Sequence, residues 1–509
     1  MGRMKLYAAL AALRVAGSVL LLGMVHPDEF FQSQEVMARH FLPEDSVLRR
    51  ELFVPWEFQL PNPNRSVLFP ALAAGLPYKI MELLGIKLTG WLMLVTPRLL
   101  LCLLSFIVDA VLYQVVGKLS RHQKVEIQRE KQEKALLLFA IFFFPLGVEL
   151  VRQQDALVVV AARKKDVSMS PSIARRLAAT IAVAMQGFVA FVVWSALLIF
   201  VDTLYFRPEL FEGELDRIFL EKIAANAVIA PLNNLLYNVQ YDNLELHGVH
   251  PRLTHLTVNM PMLFGPVFLV FLVKFFRYPD HSFFGSACVF FPLLCLSLAP
   301  HQEPRFLLPA IVPLHLFTAL RGRIGIVRFL TKNRLGKLVW IVLNVVLTLF
   351  FGVLHQGGVV PMLLSLSSFA SNPVENISTT WLPSYCNFDG MDNISLGMVG
   401  TVPLVFAKTY MPPRFLLSGM TVKSSFQVVD VAGNSAAGLS ELLGLDVPVS
   451  AAFLVLPASV EVRDVVPFSS GLSTSKLGRC FPHISTEDLS FEQFSLDLYL
   501  VQRTPGEAL

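Results

Sequence analysis

Four short stretches concentrate polar side chains in an otherwise apolar chain, and each carries residue types able to do chemistry. In the first, His26-Pro27-Asp28-Glu29-Phe30-Phe31-Gln32-Ser33, two adjacent carboxylates follow a histidine. A positioned carboxylate can serve as general base toward a hydroxyl. The same residues also suit the solvated first turn of a helix, where proline and acids are favoured. Neighbours on a helix point about 100° apart, so no more than one of Asp28 and Glu29 is expected to face a substrate. The second stretch, Pro300-His301-Gln302-Glu303-Pro304-Arg305-Phe306, lies between two strongly apolar segments, so its polar residues cannot all face lipid. It reads either as a structural Arg–Glu pair or as a cationic cradle for an anionic head group, since arginine and protonated histidine bind phosphate oxygens. The third runs from Asn243 to His255 and holds His247, His250, Arg252 and His255. Gly248 and Pro251 break helical i, i+4 pairing of the histidines and no cysteine accompanies them, which favours a polar substrate-binding loop over a zinc site. The fourth, Asp202-Thr203-Leu204-Tyr205-Phe206, reads as a helix-ending acid with an interfacial aromatic anchor.

Positioning these groups falls to membrane helices. The 509-residue chain is 54% hydrophobic and 16% charged, against about 25% charged in a soluble domain. Each spanning helix needs roughly 20 residues almost free of charge. This composition excludes a disordered chain, a collagen and an ordinary cytosolic enzyme, and a net charge of +4 gives no reason to expect nucleic acid. The pattern predicts about nine spanning segments, near 5–25, 88–117, 135–150, 150–162, 177–201, 257–276, 283–300, 306–320 and 338–354. The third and fourth also read as one tight hairpin around Pro145 and Gly147. Basic residues fill the connections Lys118–Lys134, Arg163–Arg176 and Arg321–Lys337 and flank another at Lys274 and Arg277, all on the side of Arg3 and Lys5. The excess of positive charge marks that side as cytoplasmic. The opposite side receives 26–66, 202–255, a short link near 300–305 and the tail from about 355. The glycosylation sequons at Asn64, Asn376 and Asn393 fall on that side too, as acceptor chemistry requires. Arg14, inside the first segment, is costly at mid-membrane and is expected to snorkel or to face a polar bundle interior.

Beyond residue 355 the chain stops looking like membrane. Stretches such as Phe406-Ala-Lys-Thr-Tyr-Met-Pro-Pro and Ala451-Ala-Phe-Leu-Val-Leu-Pro read as short strands and turns. Cys386 and Cys480 both sit in this oxidising tail, where a disulfide is possible, while Cys102, Cys288 and Cys295 are apolar filler. The expected architecture is a polytopic α-helical membrane module over 1–354, carrying non-cytoplasmic loops 26–66 and 202–255, followed by a mixed α/β or β-rich domain over 355–509. No Walker A sequence, GxGxxG after a strand, HExxH or CxxC occurs. Asp-x-Asp, a metal clamp for nucleotide-sugar diphosphates, is also missing. A group-transfer enzyme of this kind is expected to use a lipid-linked donor, with no cofactor and no essential metal.

Taken together, these stretches resemble the multi-spanning glycosyltransferases of the GT-C class, and within it family 22, the dolichyl-phosphate-mannose-dependent mannosyltransferases. His26-Pro27-Asp28-Glu29 with Gln32-Ser33 is similar to that family's lumenal signature, and Pro300 through Pro309 to its second. Asn243 to Asn259 and Phe351-Gly352-Val353-Leu354-His355-Gln356-Gly357-Gly358-Val359 are similar to members that extend the glycosylphosphatidylinositol (GPI) core. Arg152-Gln153-Gln154-Asp155 departs from the Thr/Asn-rich run of relatives, and the tail beyond 360 carries no specific match.

The resemblance implies a GT-C-type fold in the endoplasmic reticulum membrane, with a cytoplasmic N-terminus and a lumenal active site. It implies inverting transfer of mannose from dolichyl-phosphate mannose to the third mannose of the GPI core, forming an α-1,2 linkage. Asp28 would be the catalytic base, with Glu29 as the alternative. His301, Glu303 and Arg305 would hold the donor phosphate, Glu303 orienting Arg305. Asn243, His247, His250 and Arg252 would contact the acceptor. The partners would be the donor lipid, a GPI glycolipid intermediate and membrane lipids. Members acting one step earlier on the GPI core or on N-glycan precursors are the near alternatives. A membrane transporter is the non-enzyme one, disfavoured because the spans are nearly free of acids: Asp109 is the exception, and Glu149 and Asp155 belong to the hairpin reading of 135–162.

Overall fold

The computed structural model describes residues 2–119, 173–212, 217–245, 248–277, 283–314, 333–370, 385–388, 400–418, 420, 424–431, 451–466, 472–485 and 493–503. In chain order the principal helices are α1 (Gly2–Leu20), α2 (Glu35–Phe41), α3 (Gly90–Leu119), α4 (Ile173–Phe206), α5 (Met260–Arg277), α6 (Phe283–Leu298), α7 (Arg334–Leu349) and α8 (Val359–Ala370). Among the described residues, four stretches are long and apolar enough to cross a bilayer: Gly90–Val115, Phe188–Phe206, His255–Val273 and Arg334–Leu354. They coincide with the expected segments near 88–117, 177–201, 257–276 and 338–354. The expected segments 135–150 and 150–162 and most of the basic connections lie outside the described residues, and 306–320 is described only to Leu314.

The first segment ends earlier than its hydropathy suggests. Helix α1 stops at Leu20, and residues 23–24 run extended against 352–355, with Gly23 N–H donating to the Gly352 carbonyl at 2.8 Å and Met24 N–H to that of His355 at 3.0 Å. A side chain at Gly23 would overlap the Phe351 carbonyl, so this close approach of two backbones requires glycine.

Contacts divide the chain into two compact units. One comprises Met1–Gly17, Leu60–Val67 and Leu101–Asn344. Its core joins Val108, Leu112 and Val115 of α3 to Phe264, Phe268 and Phe271 of α5, Val289 and Leu293 of α6, and Trp340 of α7. Arg14 finds its partner here. The buried guanidinium donates to Asp109 and to the Ser105 hydroxyl, both at 2.9 Å, and the Tyr7 hydroxyl donates to the same carboxylate at 2.7 Å. Asp109 thus answers Arg14, the arginine of the first segment, as a buried ion pair. Asp202 also differs from expectation: it is fully buried, accepting the Ser66 hydroxyl at 2.8 Å and the Val67 N–H at 2.9 Å, and so pins the 60–67 segment. Asn64, in that segment, is only 5% exposed.

The other unit comprises Ser18–Gln59, Leu68–Leu100 and Val345–Leu509. Its centre is a mixed sheet of β1 (Cys386–Asn387), β2 (Gly400–Phe406), β3 (Ser424–Asp430), β4 (Ala451–Pro457), β5 (Leu472–Cys480) and β6 (Leu496–Arg503), in spatial order β1-β5-β6-β4-β2-β3. Strand β2 pairs parallel to β3 and β4, and the remaining pairs are antiparallel. Directly opposed Cys386 and Cys480 form a disulfide. The stretch from Phe406 is strand only up to that residue; Arg414–Leu417 folds as a short helical turn. Helix α8 was not anticipated. Its Val359, Val360, Met362, Leu363 and Leu366 are fully buried, and at 12 residues it is too short to span a bilayer, so its grease packs against the Arg414–Leu417 turn, β1 and β5.

Candidate active site

His26-Pro27 opens a tight turn in which Glu29 N–H donates to the His26 carbonyl at 3.2 Å and Phe30 N–H to that of Pro27 at 3.0 Å. Pro27 suits such a start because its φ is fixed near the helical value and its missing N–H has no acceptor to lose. The chain continues as one wide helical turn, Phe30–Gln34, into α2. Phe30 and Phe31 are buried, packing on Phe415 and edge-on to Phe53 with ring centres 6.2 Å and 5.6 Å apart. These anchors leave Asp28 and Gln32, four residues apart, half-buried rather than enclosed.

The two carboxylates diverge, as helix geometry requires. Glu29 accepts from Arg98 at 2.8 Å, and Arg98 also donates to the Leu21 carbonyl at 2.7 Å. Asp28 instead accepts the Gln32 amide at 2.8 Å, with His26 Nδ1 lying 3.7 Å from the same oxygen. The Gln32 nitrogen donates a second time, to Glu57 at 3.0 Å. One carboxylate is therefore neutralised by a guanidinium, while the other is held by a neutral amide that it shares with a further carboxylate.

Deeper in this unit, Glu35 is fully buried and accepts the N–H groups of Phe53 and Phe415 at 3.2 Å and 3.1 Å, tying residues far apart in the chain. Burial pushes its carboxyl up to about 7, against the opposing pull of those hydrogen bonds and of Arg414. The His355-Gln356-Gly357-Gly358 run is a linker that locks the chain after the last long apolar helix. The His355 ring bonds the Met24 carbonyl, Gln356 N–H donates to the Ile484 carbonyl at 2.9 Å, and Gly358 N–H donates to His483 Nδ1 at 3.3 Å. A side chain at Gly357 would overlap the carbonyls of Val353 and Pro482. Burial lowers the His355 ring below its usual range and pushes His483 down to about 3, so both stay neutral. Tyr410 stands beside His355 and His26, with ring centres 5.2 Å and 6.4 Å away.

In the other unit, the stretches that the sequence separates into 243–255 and 300–306 are joined. His250 N–H donates to the Pro300 carbonyl at 2.9 Å, and the His250 and His301 rings lie 5.7 Å apart. Gln302, 1% exposed, is the knot. Its amide nitrogen donates to the carbonyls of Arg252, Ser297 and Ala299 at 3.1 to 3.3 Å, and its oxygen accepts His255 N–H at 2.9 Å. Asn259 closes the ring, donating to His255 Nδ1 at 3.0 Å and to the Gln302 carbonyl at 3.3 Å. On this frame Glu303 pairs with His301 at 2.7 Å and with Arg305. His301 Nδ1 faces the Gly248 carbonyl at 3.1 Å, so both ring nitrogens of His301 face acceptor oxygens. The Arg305 guanidinium, 30% exposed and 5.8 Å from the Phe306 ring centre, presents a planar set of donors of the kind that binds anions.

Of the acceptor candidates, Arg252 donates to the Leu298 carbonyl and so belongs to this frame with His250, whereas Asn243 donates to the Tyr237 carbonyl at 3.1 Å and to Gln240 at 2.9 Å, closing its own short turn. His247 lies outside the described residues. Among the described residues, no three of His, Cys, Asp and Glu converge to hold a metal ion. Sequence reading overlooked Arg98, although an arginine inside an apolar segment is itself a signal. It also overlooked Tyr410, for which a tail of strands and turns offers none.

Comparison with known proteins adds an independent line. The model of the Alg9-like mannosyltransferase family matches residues 5–151 and 138–385. GPI mannosyltransferase 4 of Aspergillus oryzae is 29% identical over 544 residues, covering 92% of this chain and 91% of its own. GPI alpha-1,2-mannosyltransferase 4 of Homo sapiens is 29% identical, covering 86% and 80%, and GPI mannosyltransferase 4 of Candida albicans is 30% identical, covering 68% and 73%. No solved structure gives a significant match.

Proposed function

This chain belongs to the Alg9-like mannosyltransferase family, and we propose that it adds the fourth mannose of the GPI core, in α-1,2 linkage, from dolichyl-phosphate mannose. The observation that carries the acceptor is the length of the match: relatives bearing the name GPI mannosyltransferase 4 align over about nine-tenths of both chains, tail included. The reaction is a single displacement with inversion. The acceptor oxygen bonds to the mannose anomeric carbon as the bond to the phosphate oxygen breaks, and dolichyl phosphate departs. Asp28 takes the acceptor hydroxyl's proton. The Arg98 contact of Glu29 supports this division, since it engages that carboxylate in an ion pair and leaves Asp28 to the Gln32 amide.

Charge builds on the departing phosphate, and fixed donors there contribute most in the transition state. Arg305 supplies them, oriented by Glu303, and His301 braces Glu303 from its other side. For His301 to reach the phosphate itself, its ring must release Glu303 or the Gly248 carbonyl. His250 and Arg252, with Asn243 and His247, are the acceptor contacts we propose. No metal is required in this scheme. The membrane module over 1–354, with about nine spans and a cytoplasmic N-terminus, would present loops 26–66 and 202–255 and the domain over 355–509 to the lumen of the endoplasmic reticulum.

The test is transfer of labelled mannose from dolichyl-phosphate mannose to a trimannosyl GPI intermediate, in microsomes lacking the host activity, with linkage analysis. An α-1,2-linked fourth mannose is expected. Product only from a dimannosyl GPI intermediate or an N-glycan precursor would overturn the acceptor and keep the chemistry.

A further inference from the structure

We propose that Gln32 and Glu57 are positioning residues for Asp28, with the Gln32 amide transmitting the hold of Glu57 to the base. The inference rests on the reading of Asp28 as base and deepens it. An aspartate carboxyl turns about a broad, nearly twofold torsion, so a base at the membrane edge is not aimed by its backbone alone. Gln32 sits one helical turn beyond Asp28 and donates to its Oδ2 at 2.8 Å, and fixing that oxygen fixes the direction of Oδ1. Gln32 would itself be loose, at the end of a flexible side chain and 2.8 Å from a single partner. Its second bond, 3.0 Å to Glu57, removes that freedom. Both partners only accept, so the amide must present its nitrogen to each, and its orientation is settled without ambiguity.

Glu57 in turn is held by the fold. It lies in a short helical turn, Trp56–Phe58, closed by Phe58 N–H to the Pro55 carbonyl at 2.9 Å and anchored by the buried Phe58 ring. The arrangement uses a carboxylate where an ordinary acceptor would serve. A charged acceptor makes the stronger hydrogen bond to the amide, and so a stiffer one. What Glu57 contributes is therefore an acceptor oxygen in a fixed place, and a glutamine there retains that oxygen whereas an alanine does not.

The experiment measures kcat and the KM for dolichyl-phosphate mannose in microsomes carrying the full chain, with Gln32→Leu, Glu57→Ala, Glu57→Gln and Asp28→Asn compared at equal protein level. A lost hydrogen bond to a charged group corresponds to roughly a tenfold to hundredfold change in rate. Gln32→Leu is expected to lower kcat by that amount with KM held, Glu57→Ala to lower it about tenfold, and Glu57→Gln to recover most of the Glu57→Ala loss. Wild-type kcat in Glu57→Ala, a loss confined to KM, or a Glu57→Gln variant as slow as Glu57→Ala would overturn the proposal. Full activity in Asp28→Asn would instead sink the reading of the base on which it stands, and the two failures are distinct because Asp28→Asn keeps Gln32 and Glu57 in place.

Discussion

The stretches around Asp28 and around Glu303 are built from the same residue types, histidine, carboxylate, glutamine and arginine, yet these pair differently. Around Asp28, Arg98 pairs with Glu29, His26 lies 3.7 Å from Asp28, and a neutral amide bridges Asp28 and Glu57. Around Glu303 one carboxylate serves two nitrogen-bearing side chains, His301 and Arg305. The glutamines differ too. Gln32 is half-buried and bridges two carboxylates, whereas Gln302 is buried and bonds backbone groups of several segments. The contrast teaches that composition of a polar cluster does not assign its chemistry. The pairing within it does. A carboxylate suits proton removal, and a presented guanidinium suits an anionic leaving group.

The sharpest way to break this comparison is to remove its two poles in turn. Asp28→Asn keeps shape and removes the proposed base, and transfer should fall by roughly 10²–10⁴-fold in kcat, read by product formation at equal protein level. Arg305→Ala removes the cation presented to the departing phosphate, and kcat/KM should fall by about 10²-fold. Equal sensitivity of the two variants to phosphate analogues as inhibitors would count against the contrast, because only Arg305→Ala should lose that inhibition.

A smaller effect concerns stability. Burial pushes the folded Glu35 carboxyl up to about 7, from about 4.5 for an exposed glutamate. The native state therefore binds this proton more tightly than the unfolded state, so the contribution is fully present below about pH 4.5 and is lost as pH rises through 7. Thermal stability in detergent should fall across that window by an amount equivalent to about 3 kcal/mol at most. Glu35→Gln should flatten the slope. An unchanged slope would show that Glu35 is not its source. The smallest expected effect is none at all: Asn64 is 5% exposed and the Ser66 hydroxyl of its sequon is bonded to Asp202. Asn64→Gln should leave the glycosidase-sensitive mass unchanged, and a loss of one glycan would refute that.

Much of the architecture could be read from one dimension. Four expected spans correspond to long apolar helices, and Ala451–Pro457 is a strand where alternating strand and turn residues suggested one. Glu303 stands beside Arg305, as two residues so close in sequence allow. Other features were out of reach for stated reasons. Helix α8 is apolar apart from three serines, and its identity as packing rather than membrane depends on neighbours such as Arg414–Leu417. The early end of α1 depends on a strand-like contact with residues more than 300 positions away. Cysteine placement left a disulfide possible, and only the pairing of β1 with β5 brings Cys386 opposite Cys480.

The sequence by itself determined that this is a membrane protein of a mannosyltransferase type, and where its polar chemistry lies. Transfer of each residue into a bilayer is nearly additive along the chain, so hydropathy and charge survive without a fold. Tertiary structure alone decided the division of labour within each stretch. It gave Glu29 to Arg98, placed one amide between Asp28 and Glu57, and tied His250 and Arg252 to Pro300–Phe306 through Gln302. Hydrogen bonds and ion pairs depend on distances of about 3 Å, and residues 25, 50 or 69 positions apart reach such distances only when the chain has folded.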